Sequence, residues 1–271
     1  MRETQAMPTD EEIKARTTWS WLRPYLVTLD EMFLKRWDYW LRTVDAGEVL
    51  PEPIPQIEWK GGCQEPRKNF QTCIEYCRNV FSRQAFTLFV EWLLFGFGDP
   101  SMKEMPSQVK PRINAFWYKT FNLGFFLKYP HDYLGEYAAE LYGGGRHNPT
   151  GYFPTPMHVS VMMAMMVLSE KDKTASVCDP CVGSGRLLMA ASNYSLNLYG
   201  VDIDYSILNV CKANMWMYVP WGVFRPEIKG LEPAKPMKEQ DSLAVQPIQQ
   251  TTPEIQEKLL EFSGQMDLFK C

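Results

Sequence analysis

The chain has 271 residues, of which 45% are hydrophobic, and a formal net charge of -4. This length allows one large domain or two smaller ones, and the acidic balance argues against broad electrostatic binding to nucleic acid. Seven cysteines in a long chain without a secretory leader predict free thiols in a reducing compartment, which we take to be the cytoplasm. The longest apolar segments, 86–97 and 159–168, are too short to span a bilayer, so no membrane insertion is expected.

The N-terminal region, 1–145, is predicted to be all-helical. Apolar residues recur there at three- and four-residue spacing, and Pro24 is expected to kink or split the first helix. Aromatic residues at this spacing are more typical of packing between helices than of a base-stacking surface. The predicted helical segments are 10–44, 69–97, 112–127 and 133–142.

Beyond Gly145 the pattern changes to alternating strands and helices. This alternation predicts an α/β fold with a parallel sheet in a domain that we place at 146–245, followed by a short helix and tail at 246–271. The predicted strands are 175–178 and 196–201. The predicted helices are 159–169, 185–191 and 205–218.

A glycine turn joins the first of these strands to the next helix. The strand ends at Asp179-Pro180, and the chain then passes through Gly183-Ser184-Gly185. Backbone N–H groups and a helix N-terminus in such a turn can face a ligand, although tight turns also use glycine for purely conformational reasons. The second strand ends at Asp202, about twenty residues later, which is the spacing at which an acidic side chain meets a ribose hydroxyl. The two features together predict a nucleoside-like ligand.

Four segments over roughly 132–218 resemble, in order and spacing, the N6-adenine DNA methyltransferases, particularly the methylation subunits of type I restriction-modification systems. They are Asp-Tyr-Leu-Gly-Glu-Tyr at 132–137, Phe-Pro-Thr-Pro at 153–156, Asp-Pro-Cys-Val-Gly-Ser-Gly at 179–185, and Gly-Val-Asp at 200–202 followed by Ala-Asn-Met at 213–215. The resemblance implies an S-adenosylmethionine-dependent methyltransferase-like Rossmann unit.

The resemblance also implies roles for single residues. Thr155 and Pro156 would contact the methionine moiety of S-adenosylmethionine, although the same segment could be a simple loop before a helix. Asp179 and Gly183 would lie along that moiety. Asp202 would hold the ribose hydroxyls, and Asp241 would lie near the adenine ring unless it is only a helix N-cap. The full cofactor-binding set implied is Phe153, Thr155, Pro156, Asp179, Pro180, Gly183, Gly185, Asp202, Ile203 and Asp241.

The part of the resembling family that holds the target base has no counterpart in this sequence. In the family an Asn/Asp-Pro-Pro-Tyr/Phe motif positions a flipped adenine, and none follows Asp241. The Rossmann unit is therefore expected to be incomplete, with unknown catalytic residues. Three alternatives remain: a silent relative that still binds the cofactor, an active site completed by a partner subunit or homodimer covering the open sheet edge, and an enzyme with an unrecognised motif. DNA is the expected substrate of an active form.

The C-terminal peptide Gln265–Phe269 resembles the motif by which DNA-processing proteins dock on the replicative sliding clamp. Gln265, Leu268 and Phe269 are the residues that would bind this partner, unless the tail folds back on its own domain. The resemblance favours a second class of function, a non-enzymatic methyltransferase-fold module that interacts with the replication machinery.

No metal site is predicted. Cys178 and Cys181 have a spacing found in redox and metal sites, but no second pair of ligands follows at zinc spacing, so buried thiols are the preferred interpretation. The three histidines have no recognisable partner for nucleophilic catalysis.

Overall fold

The structure, a computed structural model, describes residues 18–142 and 151–231. This part of the chain is mostly helical and contains one small sheet. The helices are α1 (Arg23–Phe33), α2 (Arg36–Ala46), α3 (Gln64–Phe81), α4 (Gln84–Phe97), α5 (Pro111–Thr120), α6 (Leu123–Lys128), α7 (Tyr133–Tyr142), α8 (Met157–Val167), α9 (Arg186–Ala191), α10 (Tyr205–Tyr218) and α11 (Pro220–Val223). The strands are β1 (Ser176–Asp179) and β2 (Asn197–Gly200).

The N-terminal helices are shorter than the sequence pattern predicts. The first predicted helix breaks at Lys35, which has a φ of 59°, while Pro24 lies in the first turn of α1, where a missing N–H costs little. The segment predicted as one helix over 69–97 is divided at Ser82, with a φ of 53°. A third break falls at Asn122, whose side chain accepts a hydrogen bond from the Gly124 N–H and so caps α6.

The sheet consists of β1 and β2, which run parallel and are connected through α9. Their register pairs Ser176 with Asn197 and Asp179 with Gly200, so both strands end side by side. The predicted β-α-β connection is therefore present. Among the described residues the sheet has no further strand, and the larger Rossmann unit implied by the resemblance is not confirmed.

Helix α10 joins the strand–helix part to the N-terminal helices. It packs against α4, α6, α7 and α11. Trp216 of α10 stacks on Trp37 and on Phe97, and its indole N–H donates to Asp99 Oδ2 at 2.9 Å. These buried aromatic rings pack between helices, as the helical spacing of the aromatic residues predicts. The two regions share one core, and the division of the chain into domains stays a prediction.

Two properties of the described residues bear on the expectations from composition. None of their helices combines the length and the apolar character needed to cross a membrane. Their cysteines are free thiols, and Cys73, Cys77 and Cys211 are buried. Cys178 and Cys181 are exposed, so the interpretation of these two as buried thiols is wrong.

Gly135 in α7 provides a test of how closely this helix approaches the glycine turn. A Cβ at this position would overlap the Asp132 carboxylate and lie 2.5 Å from the Ser184 Cβ. We expect Gly135→Ala to lower the free energy of unfolding by about 1–3 kcal/mol, since overpacking of this size costs that much. Urea denaturation followed by circular dichroism measures it.

Gly61→Ala is the matched control, because a Cβ at Gly61 would meet no heavy atom within 4 Å. Equal denaturation midpoints for the two variants would contradict the close contact between α7 and the turn.

Candidate functional site

A cleft of about 250 Å³ lies at the carboxyl ends of β1 and β2. The lining residues come from three chain segments: 151–155 before α8, 179–187 around the glycine turn, and 202–207 at the start of α10. Parallel strands bring their carboxyl ends to one edge of a sheet, which is where open α/β sheets bind ligands. Three of the four segments that carry the family resemblance therefore meet at one cleft.

The glycine turn and Asp202 are in direct contact. The Gly183 N–H donates to Asp202 Oδ2 at 2.8 Å, and the Val182 N–H donates to the Val201 carbonyl at 2.9 Å. The turn is thereby fixed to the end of β2. Asp202 Oδ1 accepts a further hydrogen bond from the Asp204 N–H at 2.9 Å. The Gly183 N–H is thus already satisfied within the protein, whereas each carboxylate oxygen of Asp202 retains a lone pair for a ligand.

Gly183 and Gly185 serve different purposes in the turn. Both have positive φ, 54° and 93°, which favours glycine. Gly183 lines the cleft, and a Cβ there would lie 3.2 Å from the Tyr152 ring. Gly185 lies against α10, where a Cβ would be 2.8 Å from both Cys211 Sγ and the Met215 methyl carbon. Burial raises the pKa of the Cys211 thiol to about 12, so this neighbour of the turn is neutral at physiological pH.

The structure brings together six of the ten residues in the implied cofactor-binding set. Those that line the cleft are Phe153, Thr155, Asp179, Gly183, Asp202 and Ile203. Pro156, Pro180 and Gly185 are not among the lining residues, and Pro156 directly precedes α8. Asp241 and the tail residues Gln265, Leu268 and Phe269 lie outside the described residues. Cofactor binding by this set stays a prediction.

The lining combines acidic, basic and apolar groups. Asp179 is 8% exposed and accepts from the Cys181 N–H at 3.0 Å. Asp202 and Asp204 add two further carboxylates, and Ile203 between them is 91% exposed. In the part of the chain that the structure describes, no group of three or more His, Cys, Asp or Glu side chains could hold a metal ion.

A buried carboxylate behind the turn is the main feature that sequence reasoning missed. Asp132 is fully buried and accepts hydrogen bonds from Ser184 Oγ and Arg186 Nε, both at 2.6 Å, and from the Gly135 N–H and Asn214 Nδ2, both at 2.8 Å. One signal in the sequence could have indicated it: Asp132, Ser184 and Asn214 lie in three different segments of the family resemblance, and all three residue types can form hydrogen bonds.

The Asp132 network extends into the wall of the cleft. Arg186 Nη1 donates to the Thr155 carbonyl at 3.1 Å, and Asn214 Nδ2 also donates to the Ser184 carbonyl at 2.9 Å. Tyr152 completes this wall, with its hydroxyl donating to the Gly135 carbonyl at 3.3 Å. Burial raises the pKa of Tyr152, which keeps the phenol neutral.

Comparison with known proteins agrees with this geometry. A model of the N-6 DNA Methylase family matches residues 133–219, which begin with α7 and end after α10. The matched region contains the glycine turn, both strands and the whole lining of the cleft. The resemblance to N6-adenine DNA methyltransferases predicted from the sequence is confirmed for this region.

Two curated relatives show the same kinship. A stretch of 101 residues is 31% identical to the type II restriction enzyme and methyltransferase RM.BcgI of Heyndrickxia coagulans, covering 31% of this chain and 16% of that protein. A stretch of 109 residues is 28% identical to the type I restriction enzyme MpnII methylase subunit of Mycoplasma pneumoniae, covering 36% of this chain and 20% of that subunit. The chain thus spans a fifth or less of either relative. No solved structure matches the chain significantly.

Removing the negative charge of Asp132 tests whether the buried network holds the turn. We expect Asp132→Asn to lower the free energy of unfolding by about 3–5 kcal/mol, because it leaves the buried Arg186 charge without its partner. Asp172, which is partly exposed and whose side chain accepts hydrogen bonds from Ser169, supplies the matched control Asp172→Asn. Thermal and urea unfolding of both variants measure the difference, and similar values for the two would show that the network does not stabilise the fold.

Proposed function

We propose that this chain binds S-adenosylmethionine in the cleft and contributes the cofactor-binding half of an adenine-N6 DNA methyltransferase. The observation that carries the proposal is the hydrogen bond between Gly183 and Asp202 at 2.8 Å. It makes the turn and the carboxylate neighbours in one cleft, as a shared nucleoside ligand requires. The match to the N-6 DNA Methylase model over 133–219 supports S-adenosylmethionine as that ligand.

The side chains of the cleft fit the groups of this cofactor. The remaining lone pairs of Asp202 can accept from the ribose hydroxyls. The Asp179 carboxylate suits the ammonium group, and the exposed Ile203 offers an apolar surface for the adenine ring. When bound, S-adenosylmethionine supplies an electrophilic methyl group. The chain's own contribution is to hold and orient the cofactor at the carboxyl ends of the strands.

The target adenine needs residues beyond those described. The 271 residues contain no Asn/Asp-Pro-Pro-Tyr/Phe motif, the element that holds a flipped adenine in the resembling family. We propose that a partner subunit or another copy of this chain contributes the adenine pocket. DNA is the substrate of the complete enzyme.

An exposed apolar surface supports a second polypeptide. Helix α8 packs against α9, yet much of its surface is exposed and apolar. The exposed fractions are 54% for Met162, 44% for Met163, 63% for Met165, 77% for Met166 and 76% for Val167. Contiguous apolar surface of this kind is typical of protein–protein contact sites. β1 also has one edge without a strand partner in the described residues.

Cofactor binding is tested by isothermal titration of the purified chain with S-adenosylmethionine and S-adenosylhomocysteine. We expect both to bind, and Asp202→Asn to weaken each at least about tenfold, because the variant loses the charged acceptor facing the ribose. Asp172→Asn, at a position outside the lining of the cleft, should bind as the wild type does. Absence of binding by the wild-type chain would refute the proposed function.

Methyl transfer is tested with tritiated S-adenosylmethionine and unmethylated DNA. We expect no transfer by the chain alone and transfer by the complex isolated from cells that encode it. Met166→Glu should abolish assembly and transfer while leaving cofactor affinity unchanged, because a charge on the contact face must be desolvated. Val80→Glu, at a position on α3 that is 73% exposed, is the matched control.

Transfer by the chain alone would contradict the need for a second polypeptide. Intact cofactor binding without transfer in either preparation would instead favour the catalytically silent alternative.

A further inference from the structure

Arg186 is the one cationic side chain among the described residues that line the cleft. It forms a salt bridge with Asp132, with Nε 2.6 Å from Oδ2. The arginine side chain is 9% exposed and the aspartate side chain is fully buried. The positive charge of Arg186 therefore lies in the wall of the cleft, and the negative charge of Asp132 lies in the protein interior.

The guanidinium of Arg186 has more donors than the protein uses. It carries five N–H groups, of which Nε serves Asp132 and Nη1 serves the Thr155 carbonyl at 3.1 Å. Nη2 is buried and has no hydrogen-bond partner. Buried donors in native proteins are nearly always satisfied, by protein groups, by ordered water or by a ligand.

We infer that Arg186 recognises the carboxylate at the amino-acid end of the ligand, an inference that rests on the proposed function. The Thr155 carbonyl accepts a hydrogen bond from the Arg186 guanidinium. Thr155 lies in the segment that the family resemblance assigns to the methionine moiety. A planar guanidinium held at Nε and Nη1 is preorganised to donate to a carboxylate, and such charge-assisted hydrogen bonds are strong. The other charged groups of the lining, Asp179, Asp202 and Asp204, repel a carboxylate and favour its placement beside Arg186.

The matching ligand class is a nucleoside that carries a free amino acid. A nucleoside with the same sulfonium and amine but no carboxylate should be discriminated against. A preference for the ligand with the carboxylate over the ligand without it would be due to Arg186, whereas a general contribution of the cleft to nucleoside binding would affect both ligands equally.

Isothermal titration with S-adenosylmethionine and with decarboxylated S-adenosylmethionine tests the inference, since the two ligands differ only in the carboxylate. We expect the wild-type chain to bind the decarboxylated compound about tenfold to a hundredfold more weakly. Arg186→Met should lose a similar factor for S-adenosylmethionine and change the affinity for the decarboxylated compound by less than about twofold. Arg225→Met, which removes an arginine stacked on Tyr199 outside the cleft lining, should keep the wild-type ratio.

Equal affinity of the wild-type chain for the two ligands would overturn the inference and leave cofactor binding intact. An Arg186→Met variant with the wild-type ratio would overturn it as well. Circular dichroism shows whether that variant folds. If it does not, the inference is decided by the ratio of the two affinities in the wild-type chain and in Arg186→Lys. We expect the lysine variant to retain only part of the discrimination between the two ligands. Failure of the wild-type chain to bind S-adenosylmethionine would overturn the proposed function itself.

Discussion

The position of the glycine turn depends on the buried carboxylate of Asp132. A charged group without access to water is strongly destabilising unless protein donors replace the water. Asp132 receives those donors from Gly135 in α7, Ser184 and Arg186 at the turn, and Asn214 in α10. Displacement of any one of these elements removes donors from the buried carboxylate, so the N-terminal helices and the turn are fixed relative to each other.

This constraint determines how the cleft can recognise a ligand. The turn is held from behind by Asp132 and from the end of β2 by Asp202, whose Oδ2 accepts from the Gly183 N–H. The Gly183 N–H thus already has a hydrogen-bond partner within the protein. The lining groups that remain to contact a ligand are therefore the free lone pairs of the carboxylates, the Arg186 guanidinium and exposed apolar side chains such as Ile203.

The sequence predicted correctly those elements whose ends are determined by neighbouring residues, such as an N-cap or a following proline. Helix α10 begins and ends where the pattern placed it, because Asp204 accepts from the Ser206 N–H at 2.9 Å as its N-cap and Pro220 follows its end. The breaks at Lys35 and Ser82 were not predicted, because neither residue type signals a positive φ as glycine does. The Asp132 network was not predicted either, since its partners at 184 and 214 are distant in sequence. Only the fold brings them together.

The helical region also explains how a two-stranded sheet can belong to a stable fold. Parallel sheets usually depend on helices over both faces and on several strands for their buried apolar area. Here α10 instead buries its apolar residues against α4, α6 and α7, and fully buried rings such as Trp216 and Tyr218 fill that contact. The turn and the strand ends are thus supported by helices on one side, while β1 keeps an edge without a strand partner in the described residues and α8 keeps an exposed apolar face.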